Sequence, residues 1–247
     1  MNAINEAISK IGVVPVIKLN NPQRDAIPLA KALCEGGLPV AEVTFRAAGA
    51  ADAIRAMVAA EPEMIVGAGT VLTAEQAQEA YDAGARFVVS PGFSYLLADK
   101  CKELGIAYYP GCTTPTEYQM ALPYGYEVLK FFPAEQSGGL AKIKAMSAPF
   151  PMFKIMPTGG ISLKNLESYL SCPVIAACGG SYMVTAELID NQKWDEIIAL
   201  CRKTREIVDS VRLVKTVEAV PAPTVPGAAE TQPGEFAEKA TETAERI

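Results

Sequence analysis

Short apolar runs rich in β-branched residues alternate along this chain with stretches whose apolar residues recur at helical spacing. The runs fall at residues 13–18, 40–45, 64–69, 86–90 and 107–109, within 128–135, and at 153–156 and 174–177. Several are closed by glycine or proline, residues that end strands and open turns: Pro91-Gly92, Pro110-Gly111, Pro133, Pro157-Thr158-Gly159-Gly160 and Gly179-Gly180-Ser181. Helical stretches fall between them, at 24–35 (stopped by Gly36-Gly37), at 51–60 (ended by Pro62) and at 74–83 behind Thr73 as N-cap. Thr114-Pro115 opens another in cap-then-proline order. Residues 1–10 read as a short amphipathic leading helix. A closing helix is predicted over 194–211, with Trp194, Ile197, Ile198, Cys201 and Val208 on its apolar side.

Strand followed by helix implies parallel strands joined by crossovers. Eight such units, each of roughly 20 to 26 residues, predict an α/β fold, a (β/α)8 TIM barrel at the short end of its usual length. A doubly wound open sheet is the rival, but it would want a G-x-G-x-x-G turn after an early strand, and none occurs. Composition changes near residue 214. Prolines and small residues crowd 216–233, and a charged, alanine-rich segment runs from there to Ile247. Such a stretch cannot bury a core. The chain is therefore expected to divide into a barrel over 1–214 and a flexible tail over 215–247. That tail is either disordered or the tether of a short helix that docks on a partner.

Composition narrows the function. Half of the 247 residues are apolar, enough for a sizeable core, and no apolar run reaches the length of a membrane span. The first residues lack the basic-then-apolar order of a signal peptide. A net charge of −6 argues against a nucleic-acid partner. The six cysteines form no C-x-x-C pair and sit in apolar surroundings, as reduced, buried thiols of a cytoplasmic protein would. The chain has no histidine. Nucleophile systems built on histidine are thereby excluded, and the commonest ligand of a catalytic zinc is missing. Acid-base work falls to carboxylates, lysines, tyrosines or water.

One stretch is at odds with its own pattern. In Val128-Leu129-Lys130-Phe131-Phe132-Pro133-Ala134-Glu135 a lysine sits inside a buried-strand sequence, just before the proline that ends it. Desolvation there depresses the amine's pKa and leaves more free amine, the preparation of a Schiff-base lysine. Snorkelling from the strand end to a carboxylate is the alternative. In a barrel, the site lies where the strands end at their C-terminal side. Glu42 reaches that rim inside an apolar strand, either as the ion-pair partner of Lys130 or as its proton shuttle. Arg46 follows four residues on, a fork suited to a carboxylate. Thr70 and Thr158 bring hydroxyls that bind an anion or cap the helices after them. Lys18 is ambiguous. The Gly159-Gly160 and Gly179-Gly180 pairs, with Ser181, fall in the last two loops, where barrels often bind phosphate.

Six stretches in order resemble the motif series of the KDPG/KHG aldolases, the 2-dehydro-3-deoxy-phosphogluconate and 4-hydroxy-2-oxoglutarate aldolases. They are Ala41-Glu42-Val43-Thr44-Phe45-Arg46, Val66-Gly67-Ala68-Gly69-Thr70-Val71, Ser90-Pro91-Gly92, Leu129-Lys130-Phe131-Phe132-Pro133-Ala134-Glu135, Met156-Pro157-Thr158-Gly159-Gly160-Ile161 and Gly179-Gly180-Ser181. The resemblance covers residues 1 to about 212. It implies a class I aldolase without metal or cofactor, usually a homotrimer, acting on a small phosphorylated 2-keto acid. By position, Lys130 resembles the Schiff-base lysine and Glu42 the general acid/base. Arg46 and Thr70 resemble the groups that hold the pyruvate carboxylate; Thr158, Gly159, Gly160 and Ser181 resemble the phosphate site. Tyr182 departs from the tryptophan frequent in the family, which bears on the pocket wall, and the tail has no counterpart. Two other functions are weighed beside this one. A sugar-phosphate isomerase or epimerase explains the glycine pairs but not the lysine in strand six. A non-catalytic barrel scaffold would draw on the tail.

Overall fold

In the computed structural model, strands and helices alternate in the expected order over the described residues, which are 3–218 for the backbone and 3–213 for the side chains. The first half runs α1 (Ala3–Ile11), β1 (Val13–Ile17), α2 (Pro22–Glu35), β2 (Val40–Thr44), α3 (Ala50–Ala60), β3 (Ile65–Gly69), α4 (Ala74–Asp82) and β4 (Phe87–Val89). The second runs α5 (Tyr95–Leu104), β5 (Ala107–Tyr109), α6 (Pro115–Ala121), β6 (Val128–Phe131), α7 (Gly139–Ser147), β7 (Lys154–Pro157), α8 (Leu166–Ser171), β8 (Cys178–Gly180), α9 (Ala186–Asp190) and α10 (Trp194–Glu218). Several caps behave as the side chains dictate. Thr73 accepts from the Gln76 amide, and Thr114 with Glu117 closes a full capping box ahead of Pro115.

All strand pairings are parallel. Six strands form one sheet in the order β5-β4-β3-β2-β1-β8, and β6 pairs with β7. Backbone hydrogen bonds cross both seams between these sheets. The Lys130 amide donates to Pro110 O and the Cys112 amide to Lys130 O, each at 2.9 Å. On the other side, the Ile155 amide donates to Val174 O at 2.8 Å and the Ala176 amide to Ile155 O at 2.9 Å. The sheet is curled, with its helices outside.

Strand alternation sorts the core into two sets. Val13, Ile17, Ala41, Val43, Leu129, Phe131 and Ile155 pack outward against the helices. Val14, Val40, Ile65, Phe87, Tyr109, Val128 and Met156 point inward and form a separate cluster with Ile8 of α1. The leading helix thus closes the N-terminal end of the strands. Its buried Asn5 accepts from the Tyr109 hydroxyl at 2.7 Å and donates to Glu127 at 2.6 Å. Two residues further along β2 and β6, the same inward face carries Glu42 and Lys130.

The eighth strand departs from expectation. Residues 174–177 make only an isolated bridge, Ile175 to Ile155, whereas Cys178, Gly179 and Gly180 pair with Val13, Val14 and Pro15. The second Gly-Gly pair is therefore strand, not turn. Glycine carries no side chain to signal a strand, yet it is required here: a Cβ on Gly179 would lie 2.3 Å from Thr158 Oγ1. Helix α10 also runs on to Glu218, past the expected end near 211. Residues 219–247, the bulk of the predicted tail, lie outside the described residues.

Candidate active site

Period-two alternation turns Glu42 of β2 and Lys130 of β6 into the interior from opposite parts of the sheet. They meet there, Lys130 Nζ donating to Glu42 Oε1 at 3.2 Å. Lys130 is 4% exposed and Glu42 1%. Removing either partner of such a pair strands a charge in a poorly solvated place, at a cost of about 3–5 kcal/mol. Glu42 Oε2 is buried without a hydrogen-bond partner among the described residues, an acceptor beside an amine.

The surroundings are cut to fit this pair. A Cβ on Gly69 would fall 2.2 Å from Glu42 Oε1, so glycine at the end of β3 is what lets the carboxylate reach the amine. The Phe132 ring stands over the same amine, with Nζ 5.3 Å from its centroid. Beyond β5, Gly111 bridges to Lys130 and packs so tightly that a Cβ would meet Pro91 O at 2.0 Å. That Pro91-Gly92 turn is tied down by buried Ser90, whose Oγ donates to Gly92 O and pairs with the Tyr108 hydroxyl, both at 2.6 Å. Burial pushes the Tyr108 hydroxyl's pKa up, so it stays protonated in this role. Sequence reasoning missed Phe132 as a neighbour of the amine: it reads as an apolar strand residue, and no local signal distinguishes it.

Thr158 directly follows β7 and is buried, 6% exposed, with an Oγ1 that has no hydrogen-bond partner among the described residues. Gly159 and Gly160 follow at φ of 99° and 82°, left-handed values that L side chains rarely adopt. Here the expected glycine turn is present. Arg46 lies two residues past β2, exposed, and forms no ion pair with a described residue. Thr70 directly follows β3 with φ of 53°, a strained value for threonine costing of order 1–3 kcal/mol. Such strain persists where surrounding structure imposes it, often in a functional site. Ser181 follows β8, exposed. Lys18, just past β1, is likewise exposed.

All these residues share the C-terminal rim of the strands, but the structure unites them unequally. Lys130, Glu42 and Gly69 touch, as do Thr158 and Gly179. Arg46, Thr70 and Ser181 follow the C-terminal ends of β2, β3 and β8 and form no hydrogen bond or ion pair with Lys130 or Glu42 among the described residues. Tyr182 turns its hydroxyl to Thr204 of α10 at 2.7 Å, away from the rim.

The family model described as KDPG and KHG aldolase matches residues 4–200. The chain is 46% identical over 209 residues to the 2-dehydro-3-deoxy-phosphogluconate aldolase of Haemophilus influenzae, covering 85% of this chain and 97% of that protein. It is 42% identical over 194 residues to the KHG/KDPG aldolase of Escherichia coli K12, covering 78% and 91%. Among solved structures it resembles the KDPG aldolase of Legionella pneumophila, crystallised with pyruvate captured as a covalent carbinolamine. That match has a TM-score of 0.78 and 40% identity, and covers 81% of this chain and 97% of that one. The chain belongs to the KDPG and KHG aldolase family.

Proposed function

We propose that the chain is a class I, metal-free aldolase that cleaves 2-dehydro-3-deoxy-6-phosphogluconate to pyruvate and glyceraldehyde 3-phosphate, with 4-hydroxy-2-oxoglutarate as a second substrate. The observation that carries this reading is the buried amine of Lys130, held 3.2 Å from the buried carboxylate of Glu42. In this reading Arg46 and Thr70 hold the substrate carboxylate at the rim, while Thr158, Gly159, Gly160 and Ser181 receive the phosphate.

The chemistry follows from the pair. The free amine of Lys130 adds to the C2 ketone, and loss of water from the carbinolamine gives an iminium. Glu42 accepts the C4 hydroxyl proton, the C3–C4 bond breaks, and its electrons flow to the iminium nitrogen, leaving an enamine and releasing the aldehyde. The carboxylic acid so formed returns its proton to C3 of the enamine, and water hydrolyses the resulting iminium to pyruvate and free lysine. The electron sink is the protein's own nitrogen, so no step calls on a metal or cofactor.

The finer architecture belongs to the same proposal: a closed (β/α)8 barrel over residues 1–214, a homotrimer, and a cytoplasmic enzyme. Backbone bonds at both seams support closure, and six free cysteines, five of them buried, support a reducing compartment.

Borohydride treatment in the presence of pyruvate tests the central claim. The expected product is a covalent adduct mapped to Lys130, absent from Lys130→Met, which should fold but not cleave. An intact mass unchanged by the treatment would refute the mechanism.

A further inference from the structure

Glu135, the last residue of the stretch that carries the nucleophile, is not used by the mechanism, yet it lies directly beneath the Gly159-Gly160 turn. Its amide donates to Gly159 O at 3.1 Å, and the Ala134 amide donates to Thr158 O at 2.8 Å. Its side chain fills the space that a Cβ on Gly160 would need, with Glu135 Cγ 2.5 Å from that position. The carboxylate is in turn held by Tyr169 of α8, whose hydroxyl donates to Oε1. Tyr169 is 2% exposed, and burial, with the adjacent carboxylate, raises its pKa, so it remains a donor.

The consequence follows from peptide geometry. In a trans peptide, the carbonyl and the next residue's N–H point in opposite directions. Tying the carbonyls of Thr158 and Gly159 down onto residues 134 and 135 therefore turns the amides of Gly159 and Gly160 the other way, away from that support. Asn165 holds the next carbonyl similarly, its Nδ2 donating to Gly160 O at 3.0 Å. Successive amides aimed to one side make an anion cradle.

We propose that Glu135 and Tyr169 are positioning residues for phosphate: they form a brace that aims the Gly159 and Gly160 amides at the substrate's phosphoryl group and so set the preference for phosphorylated over unphosphorylated 2-keto acids. The proposal rests on the aldolase reading and on the phosphate being received at this turn. A carboxylate near an anion site is tolerable because a hydroxyl donor engages it.

The test measures kcat and KM for 2-dehydro-3-deoxy-6-phosphogluconate and for its unphosphorylated counterpart in wild type, Tyr169→Phe and Glu135→Gln, with pyruvate–borohydride trapping in each. Loss of a hydrogen bond to a charged group predicts a KM for the phosphorylated substrate raised about tenfold in Tyr169→Phe. Constants for the unphosphorylated substrate and the trapping yield should be unchanged, and Glu135→Gln, which still accepts from Tyr169, should lie between. Trapping at Lys130 with the phosphate preference intact in Tyr169→Phe would overturn the brace while leaving the aldolase reading standing. An equal loss for both substrates would overturn it too, as a general structural defect. Wild type that traps pyruvate but shows no preference for phosphate would remove the phosphate site and the brace together, and no trapping in wild type would fail the aldolase reading itself.

Discussion

Glu42 meets Lys130 with Oε1, and its Oε2 has no hydrogen-bond partner among the described residues, so one carboxylate oxygen is open to a substrate proton. Glu42→Gln keeps the shape and removes the basic oxygen. Its kcat for cleavage should fall by roughly 10²–10⁴-fold, the usual worth of a positioned acid/base, while slow pyruvate trapping on Lys130 persists. Steady-state kinetics with trapping checks both; an unchanged kcat would take Glu42 out of the mechanism. At this scale much was legible. A lysine and a glutamate inside apolar strands stand out because charge is rarely buried alone. Phe132 did not stand out, because apolar and aromatic residues are what a strand is expected to contain.

Among the elements, β8 shows what a hydrophobic pattern can and cannot carry. The β-branched run 174–177 marks a strand in the right region, but its ladder to β1 is made by Cys178, Gly179 and Gly180. A bare backbone is needed where Thr158 passes close by, and that contact bridges residues distant in sequence. Gly179→Ala should therefore lose about 1–3 kcal/mol through overpacking, lower the melting temperature, and raise KM for the phosphorylated substrate by displacing Thr158. Gly92→Ala, whose Cβ would meet nothing within 4 Å, should change neither. Thermal denaturation with kinetics on both variants decides it, and equal melting temperatures would contradict the close approach.

At the level of the whole molecule, buried acids couple folding to pH. Burial pushes the thiols of Cys101, Cys112 and Cys201 from 9.0 up to about 12. Tyr108, Tyr109 and Tyr118 are raised above 10.0 for the same reason. Their folded pKa values exceed the unfolded ones, so above pH 9 the unfolded chain binds fewer protons than the folded one, and stability falls as pH rises. The contribution is complete below pH 9 and is lost progressively toward pH 12. Urea midpoints should be level between about pH 7 and 8.5 and clearly lower near pH 10.5, in the direction linkage requires. A midpoint that rises over that interval would contradict the burial of these groups.

The periodic text of the sequence was sufficient for the class of fold, the order of strands and helices, the absence of histidine chemistry and the identity of Lys130 as the unusual residue, because these depend on local spacing and composition. Only the tertiary structure decided that Glu42 and Lys130 touch, that Gly69 clears the space between them, and that β8 runs through its glycines. It also decided that Glu135 and Tyr169 support the turn after β7. Each of these joins residues far apart in the chain, and such contacts exist only once the sheet has curled and brought its strand ends together.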